Sequence, residues 1–109
     1  MQDRLNQLFE FKNESPEDPF IHYAIASEYL KQNKWQEALD GFMELTQKFP
    51  DYLGTYYHLG KLHQSLGQID QAKDTFETGI KVAQKLGNSH ALGELKGALN
   101  WLIMENDED

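Results

Sequence analysis

Ala38 and Phe42 recur as Ala72 and Phe76, 34 residues further on. The same shift carries Tyr23 onto Tyr57, Ile25 onto Leu59, Ala26 onto Gly60, Asn33 onto Gly67, Trp35 onto Ile69 and Asp40 onto Asp74. A period of this length marks an array in which each unit is one supersecondary element, unable to bury its apolar face alone. The chain has 109 residues, room for one small domain holding two such periods.

Within each period the apolar spacing is helical. Leu5, Leu8 and Phe9 share one face of a short helix over 3–12. Asn13 to Asp18 is a turn-rich break. Asp18 reads as an N-cap with Pro19 at the first helical position, where its missing N–H is harmless. The helix that follows, 19–31, buries His22, Ile25, Ala26 and Tyr29. Asn33 and Gly67 are equivalent residues that tolerate positive φ, a turn signal at the same place in both periods. A helix over 35–48 buries Trp35, Ala38, Phe42 and Leu45, and Pro50 closes it.

The second period repeats this with helices at 53–66 and 69–86. The first carries Tyr56, Leu59, Gly60 and His63, and the second Ile69, Ala72, Phe76, Gly79, Ile80 and Ala83. Gln84 stands where the first period has Pro50, so the second helix runs about a turn longer, to Leu86, with Gly87 as its terminator. Asn88 or Ser89 caps a last helix over 89–104, with Ala91, Leu92, Leu95, Ala98, Leu99 and Leu102 on its apolar side. Residues 105–109 form an acidic, fraying tail.

These residues resemble the tetratricopeptide repeat: aromatic-x2-Leu-Gly-x2-Tyr in a first helix, Ala-x3-Phe in a second, then Pro. The first unit supplies Ile25, Ala26, Tyr29, Ala38, Phe42 and Pro50, with His22 for the large aromatic. The second supplies Tyr56, Leu59, Gly60, Ala72 and Phe76, with His63 for Tyr and Gln84 for Pro. The resemblance covers 19–86 and implies an all-α superhelix of helical hairpins with about six helices. Repeats at 19–52 and 53–86 stand between capping helices at 3–12 and 89–104. Small residues at 26, 38, 60 and 72 let helices approach, and Phe42 and Phe76 are expected to fill the space between neighbouring hairpins.

The same resemblance implies a scaffold that binds a peptide or protein along the first helix of each repeat. By the family's register the groove positions are Phe20, Tyr23, Ser27, Leu30 and Lys31, then Gly54, Tyr57, Lys61 and Gln64. Tyr23 and Tyr57 are expected to anchor a partner on one strip, with Lys61 meeting a partner carboxylate. The chaperone-tail binders of the family hold a C-terminal carboxylate with Lys and Asn in the first repeat. Tyr23 and Ser27 stand there instead, which argues against that subtype.

The last helix carries a second candidate. Gly93, Gly97 and Trp101 lie at i, i+4 and i+8, off the face of Leu95, Leu99 and Leu102. Each glycine costs a helix interior about 1 kcal/mol relative to alanine. Either the pair lets this helix pack closely on helix 69–86, or, beside Trp101 and Met104, it admits a second copy, giving a homodimer.

Other function classes find little support. A formal charge of −8 disfavours a nucleic-acid backbone. No apolar run is long enough for a membrane span, and no export signal follows Met1, so a cytoplasmic chain is expected, complete in itself. There are no cysteines. His58 and His63 are about 500° apart on a helix and cannot chelate together, while His22 and His63 fall in the inward register. The paired carboxylates Glu37/Asp40 and Asp74/Glu77 sit on outer faces, and no nucleophile elbow or phosphate loop occurs. No metal, cofactor or catalytic centre is therefore expected.

Overall fold

The computed structural model describes residues 3–106, all of whose regular structure is α-helical. It comprises α1 (Arg4–Glu14), α2 (Pro19–Lys31), α3 (Trp35–Lys48), α4 (Gly54–Ser65), α5 (Ile69–Leu86) and α6 (Ser89–Asn106). The helices pack as antiparallel hairpins and fall into two compact units, one ending at Tyr52 and one beginning at Leu53.

In the first unit α2 pairs with α3, and α1 packs on α2. Asp3 Oδ1 caps α1 by accepting from the Asn6 N–H at 2.9 Å, and Asp18 Oδ1 caps α2 through the Phe20 N–H at 2.9 Å. Pro19 opens α2 with a fixed φ and no orphan donor. Leu5, Leu8 and Ile25 form a core flanked by Ile21, Ala24 and Tyr29. α2 and α3 meet where Ala26 faces Gly41: a Cβ added at Gly41 would stand 3.0 Å from the Ala26 Cβ. Ala38, Phe42 and Leu45 are buried on the same face of α3, one helical turn apart.

The second unit joins α4 and α5 as a hairpin, with α6 packed on both. Its core is Tyr56, Ala72, Phe76, Ala83, Leu95 and Leu102. Phe76 lies on Gly60 of its own hairpin; a Cβ there would stand 2.6 Å from the ring's Cδ1. Burying such a side chain contributes roughly 1.5–3 kcal/mol. Gly79 plays the same part between α5 and its neighbours, since a Cβ there would stand 2.6 Å from the Tyr56 Cβ and 3.1 Å from Leu95.

The hairpin turns share one geometry. Asn33 (φ 63°) and Gly67 (φ 77°) are left-handed. The N–H of Lys34 reaches back to the Tyr29 carbonyl at 2.9 Å, and that of Gln68 to the His63 carbonyl at 2.8 Å. This is the Schellman closure that satisfies helix-terminal carbonyls. Gly87 (φ 68°) ends α5 in the same way, with Asn88 N–H to the Ala83 carbonyl at 3.0 Å. Asn88 then caps α6, its Oδ1 accepting from the Ala91 N–H at 3.0 Å, which decides between the two expected caps.

Several expectations are corrected. α1 runs two residues past its expected end, because Asn13 and Glu14 remain helical and Ser15 closes the helix on the Phe11 carbonyl at 2.9 Å. Phe9 is exposed, since α1 packs on α2 through the narrow stripe of Leu5 and Leu8. Trp35 is 45% exposed: as the first residue of α3 it has no preceding turn to shield it. His22 and Tyr29 are half-buried, unlike Ile25 and Ala26. Glu105 and Asn106 belong to α6, held by Gln64 Nε2 to Glu105 Oε1 at 3.1 Å and Asn106 Nδ2 to the Leu102 carbonyl at 2.9 Å. The rest of the expected tail, 107–109, lies outside the described residues.

Candidate functional site

In the first unit, Phe20, Tyr23, Ser27 and Leu30 recur at i, i+3, i+7 and i+10 along α2, which sets them on one face. Phe20 is exposed, and the other three are half-buried. Lys31, at the end of α2, is exposed. The Tyr23 ring meets the Tyr52 ring at 5.5 Å between centroids and the edge of Phe42 at 6.1 Å. Burial raises the Tyr23 phenol above its ordinary pKa, and a hydrogen bond with Ser27 partly offsets this. Tyr52 is raised for the same reason, burial first and Tyr23 second. Tyr23 is thus a braced, partly covered ring. Beside it, Pro19, Phe49, Pro50, Asp51 and Tyr52 line a shallow apolar hollow of about 320 Å³. Tyr52 was not legible as a site residue, because it lies in the connection after Pro50, where helical register gives no direction.

In the second unit, Tyr57, Lys61 and Gln64 follow one another on α4 at i, i+4 and i+7, all half-buried. Gly54, the first residue of α4, is exposed and lies apart from the cleft described next. Tyr57 and Lys61 form one wall of an open cleft of about 400 Å³. Gly93, Glu94, Gly97, Ala98 and Trp101 of α6 form the other wall. Two residue sets that the sequence treated as separate candidates therefore share one cleft. Met104 lies off the cleft but on the same exposed side of α6, 70% exposed, and Trp101 is 56% exposed.

The glycines of α6 behave unlike those of the core. A Cβ added at Gly93 or Gly97 would meet no atom of the described residues within 4 Å. Close packing on α5 therefore does not explain them, and each leaves bare backbone at the cleft. Glu94 and Ala98 were missed as cleft residues. Yet 94, 97, 98 and 101 follow the i, i+3, i+4, i+7 rule, so a wheel drawn on the exposed side of α6 finds them.

The electrostatics of the cleft are local and mixed. Glu94 lies 3.6 Å from the His90 imidazole and also influences His58. Burial holds His58 below its ordinary pKa, and Glu94 opposes that shift. Its ring stands perpendicular to Tyr57 at 5.6 Å. His63 is buried with Nδ1 2.7 Å from Gln68 Oε1, a core histidine bonded within its own turn. His22 places Nε2 at 2.6 Å from the Pro16 carbonyl and its ring at 5.2 Å from Phe49. Among the described residues no cluster of His, Cys, Asp or Glu is arranged to hold a metal ion. Nor is any helix among them long and apolar enough to cross a membrane.

The family model described as tetratricopeptide repeat matches residues 29–99, well over half the chain. The chain belongs to the tetratricopeptide repeat family. A tetratricopeptide repeat domain protein from Salinibacter ruber, solved by NMR, is 44% identical with a TM-score of 0.82 over 87% of this chain and 96% of that one. The TPR2B domain of yeast Sti1, in a complex with pHsp70, has a TM-score of 0.83 at 15% identity, over 94% of this chain and 82% of that one. It shares the fold alone. Anaphase-promoting complex subunit 3 of Dictyostelium discoideum is 23% identical over the whole chain, which spans 11% of that protein's length.

Proposed function

We propose that this tetratricopeptide repeat protein is an interaction module that binds a peptide or helix of another protein. In the first unit the binding face would be Phe20, Tyr23, Ser27 and Leu30 of α2, and in the second unit it would be Tyr57, Lys61 and Gln64 of α4. Family membership supports the general role, and neighbours of the same fold take peptide ligands, as in the yeast Sti1 complex and in an RPAP3 repeat bound to an HSP90 peptide. The observation that carries the reading for this chain is the cleft between α4 and α6. It offers a tyrosine, a lysine, a half-exposed tryptophan and two stretches of bare helix backbone in one concavity. Aromatic anchors of this kind give large contact area at low entropic cost. Lys61 would orient an acidic group of the ligand.

Panning a displayed random-peptide library on the intact chain supplies ligands whatever the natural partner is. Tyr57→Ala is expected to weaken selected peptides at least tenfold, and Lys61→Ala to weaken them severalfold and flatten their salt dependence. Peptides retained at full affinity by both variants would overturn the assignment of the cleft.

A further inference from the structure

We infer that the exposed face of α6 is a homotypic docking surface, on which a second copy of this chain lies antiparallel about a two-fold axis at Gly97. The inference concerns one wall of the cleft described above and rests on that cleft being a docking surface.

The face is built by His90, Gly93, Gly97, Trp101 and Met104. At 100° per residue these five fall within an arc of about 80°. All five are exposed. Their spacing along the helix is 3, 4, 4 and 3, the same in both directions from Gly97. Their sizes are not symmetric: one turn before Gly97 stands Gly93 and one turn after it Trp101, while His90 and Met104 end the face.

That asymmetry selects the occupant and its direction. A parallel copy would set Trp101 against Trp101 and leave the glycines facing a gap. An antiparallel copy sets each Trp101 on the Gly93 of the other chain, Met104 against His90, and Gly97 against Gly97, where bare backbones meet. The open space above Gly93 and Gly97 is what such a pairing needs, and none of the described residues of this chain enters it. A closed two-fold contact of this kind is isologous, one patch completing itself.

Charge points the same way. The chain as a whole carries −8, so most of its surface repels a second copy. Lys61 and Glu94 line the same cleft, flanking α6 on one side. In an antiparallel pair a flank meets its own equivalent, so each copy brings one cation, Lys61, and one anion, Glu94, to the flank of the other. The patch is thus balanced within itself, in a protein that elsewhere is acidic. Because the remaining charge opposes association, the dimer is expected to tighten as salt is raised, the reverse of a complex held by opposite net charges.

The chain has no cysteines, which permits a direct test of register. Gly97→Cys puts one thiol on the proposed two-fold, and Lys96→Cys puts one off the face. A disulfide needs Cα atoms closer than about 7 Å, so the first is expected to cross-link on mild oxidation and the second not. Sedimentation equilibrium of the full chain is expected to show reversible association of the 12.6 kDa protomer to twice that mass. Trp101→Ala and Gly93→Leu are each expected to weaken it at least tenfold. A Cβ at 93 meets no neighbouring atom of the described residues within 4 Å, so the protomer is expected to keep its fold while the shelf for the second Trp101 is filled. A monomer at every loading, a dimer indifferent to both variants, or equal cross-linking at 96 and 97 would overturn the inference. A monomer that still takes peptides in a Tyr57-dependent way would overturn it while leaving the proposed function standing. A chain that dimerises at Gly97 but takes no peptide even when diluted to monomer would do the reverse.

Discussion

The glycines divide into residues that packing demands and residues that it does not, and one substitution separates them. Gly60 and Gly79 lie where a methyl group would collide with Phe76 and Tyr56, rings fixed in a filled core. Gly60→Ala and Gly79→Ala are expected to lower stability by about 1–3 kcal/mol, the usual cost of overpacking. Gly93→Ala and Gly97→Ala place the same methyl in open space within a helix and are expected to raise stability by about 0.5–1 kcal/mol each. Urea denaturation of the four variants checks this. A loss of stability at 93 or 97 would show that these glycines serve the fold of the protomer after all. The sequence alone could not make this division. Gly60 was legible as a small residue in a repeat signature, whereas Gly93 and Gly97 have no counterpart in the period and their surroundings are set by tertiary placement.

Helices were the most legible level, because each is specified several times over. α2 has a capping Asp18, Pro19 at its first position and a left-handed Asn33 after its end, and any two of these would mark its limits. α5 outruns α3 because Gln84 leaves its backbone free to continue where Pro50 forbids it, so a single departure from the repeat set four extra residues. What the periodicity misjudged was depth. Trp35 and Phe9 satisfy the apolar spacing yet remain exposed, since spacing assigns a face and only the neighbouring helix decides how wide a stripe is covered. α6 shows the consequence most clearly. Its inward stripe of Leu95 and Leu102 is fully buried against the α4–α5 hairpin, while its outward stripe is left open. Leu95→Ala is therefore expected to cost about 3 kcal/mol through lost transfer energy and the cavity left beside Tyr56 and Gly79. Trp101→Ala, on the open side, is expected to stay within about 0.5 kcal/mol under conditions where the chain is monomeric. Thermal unfolding at low protein concentration compares the two. Equal losses would mean that α6 is held through both stripes.

For the molecule as a whole, charge and burial respond to pH in opposite directions. At pH 7 the formal charge of −8 works against compactness, and acidification toward the isoelectric point near 4.8 relieves that repulsion. His58 works the other way. Burial depresses its pKa from the ordinary 6.5, so in the folded chain it stays neutral where the unfolded chain has begun to bind a proton. Wherever the unfolded state binds more protons, stability falls as pH falls. The contribution of His58 is therefore complete above pH 6.5 and is lost progressively below it, down to the folded pKa. Glu44, lowered first by its hydrogen bond from Lys48, loses its contribution only as pH falls below the ordinary 4.5 and leaves this window undisturbed. In roughly 0.5 M NaCl the long-range repulsion is screened, and the His58 contribution becomes the visible slope. The urea midpoint of the wild-type chain in that salt is expected to drop between about pH 7.5 and pH 5.5, and that of His58→Gln to drop less. An equal drop in both would place the responsible proton elsewhere. A smaller drop in His58→Gln would show that the helix pair framing the cleft is tuned by a half-buried imidazole next to Tyr57, with the docking surface at its most stable near neutral pH.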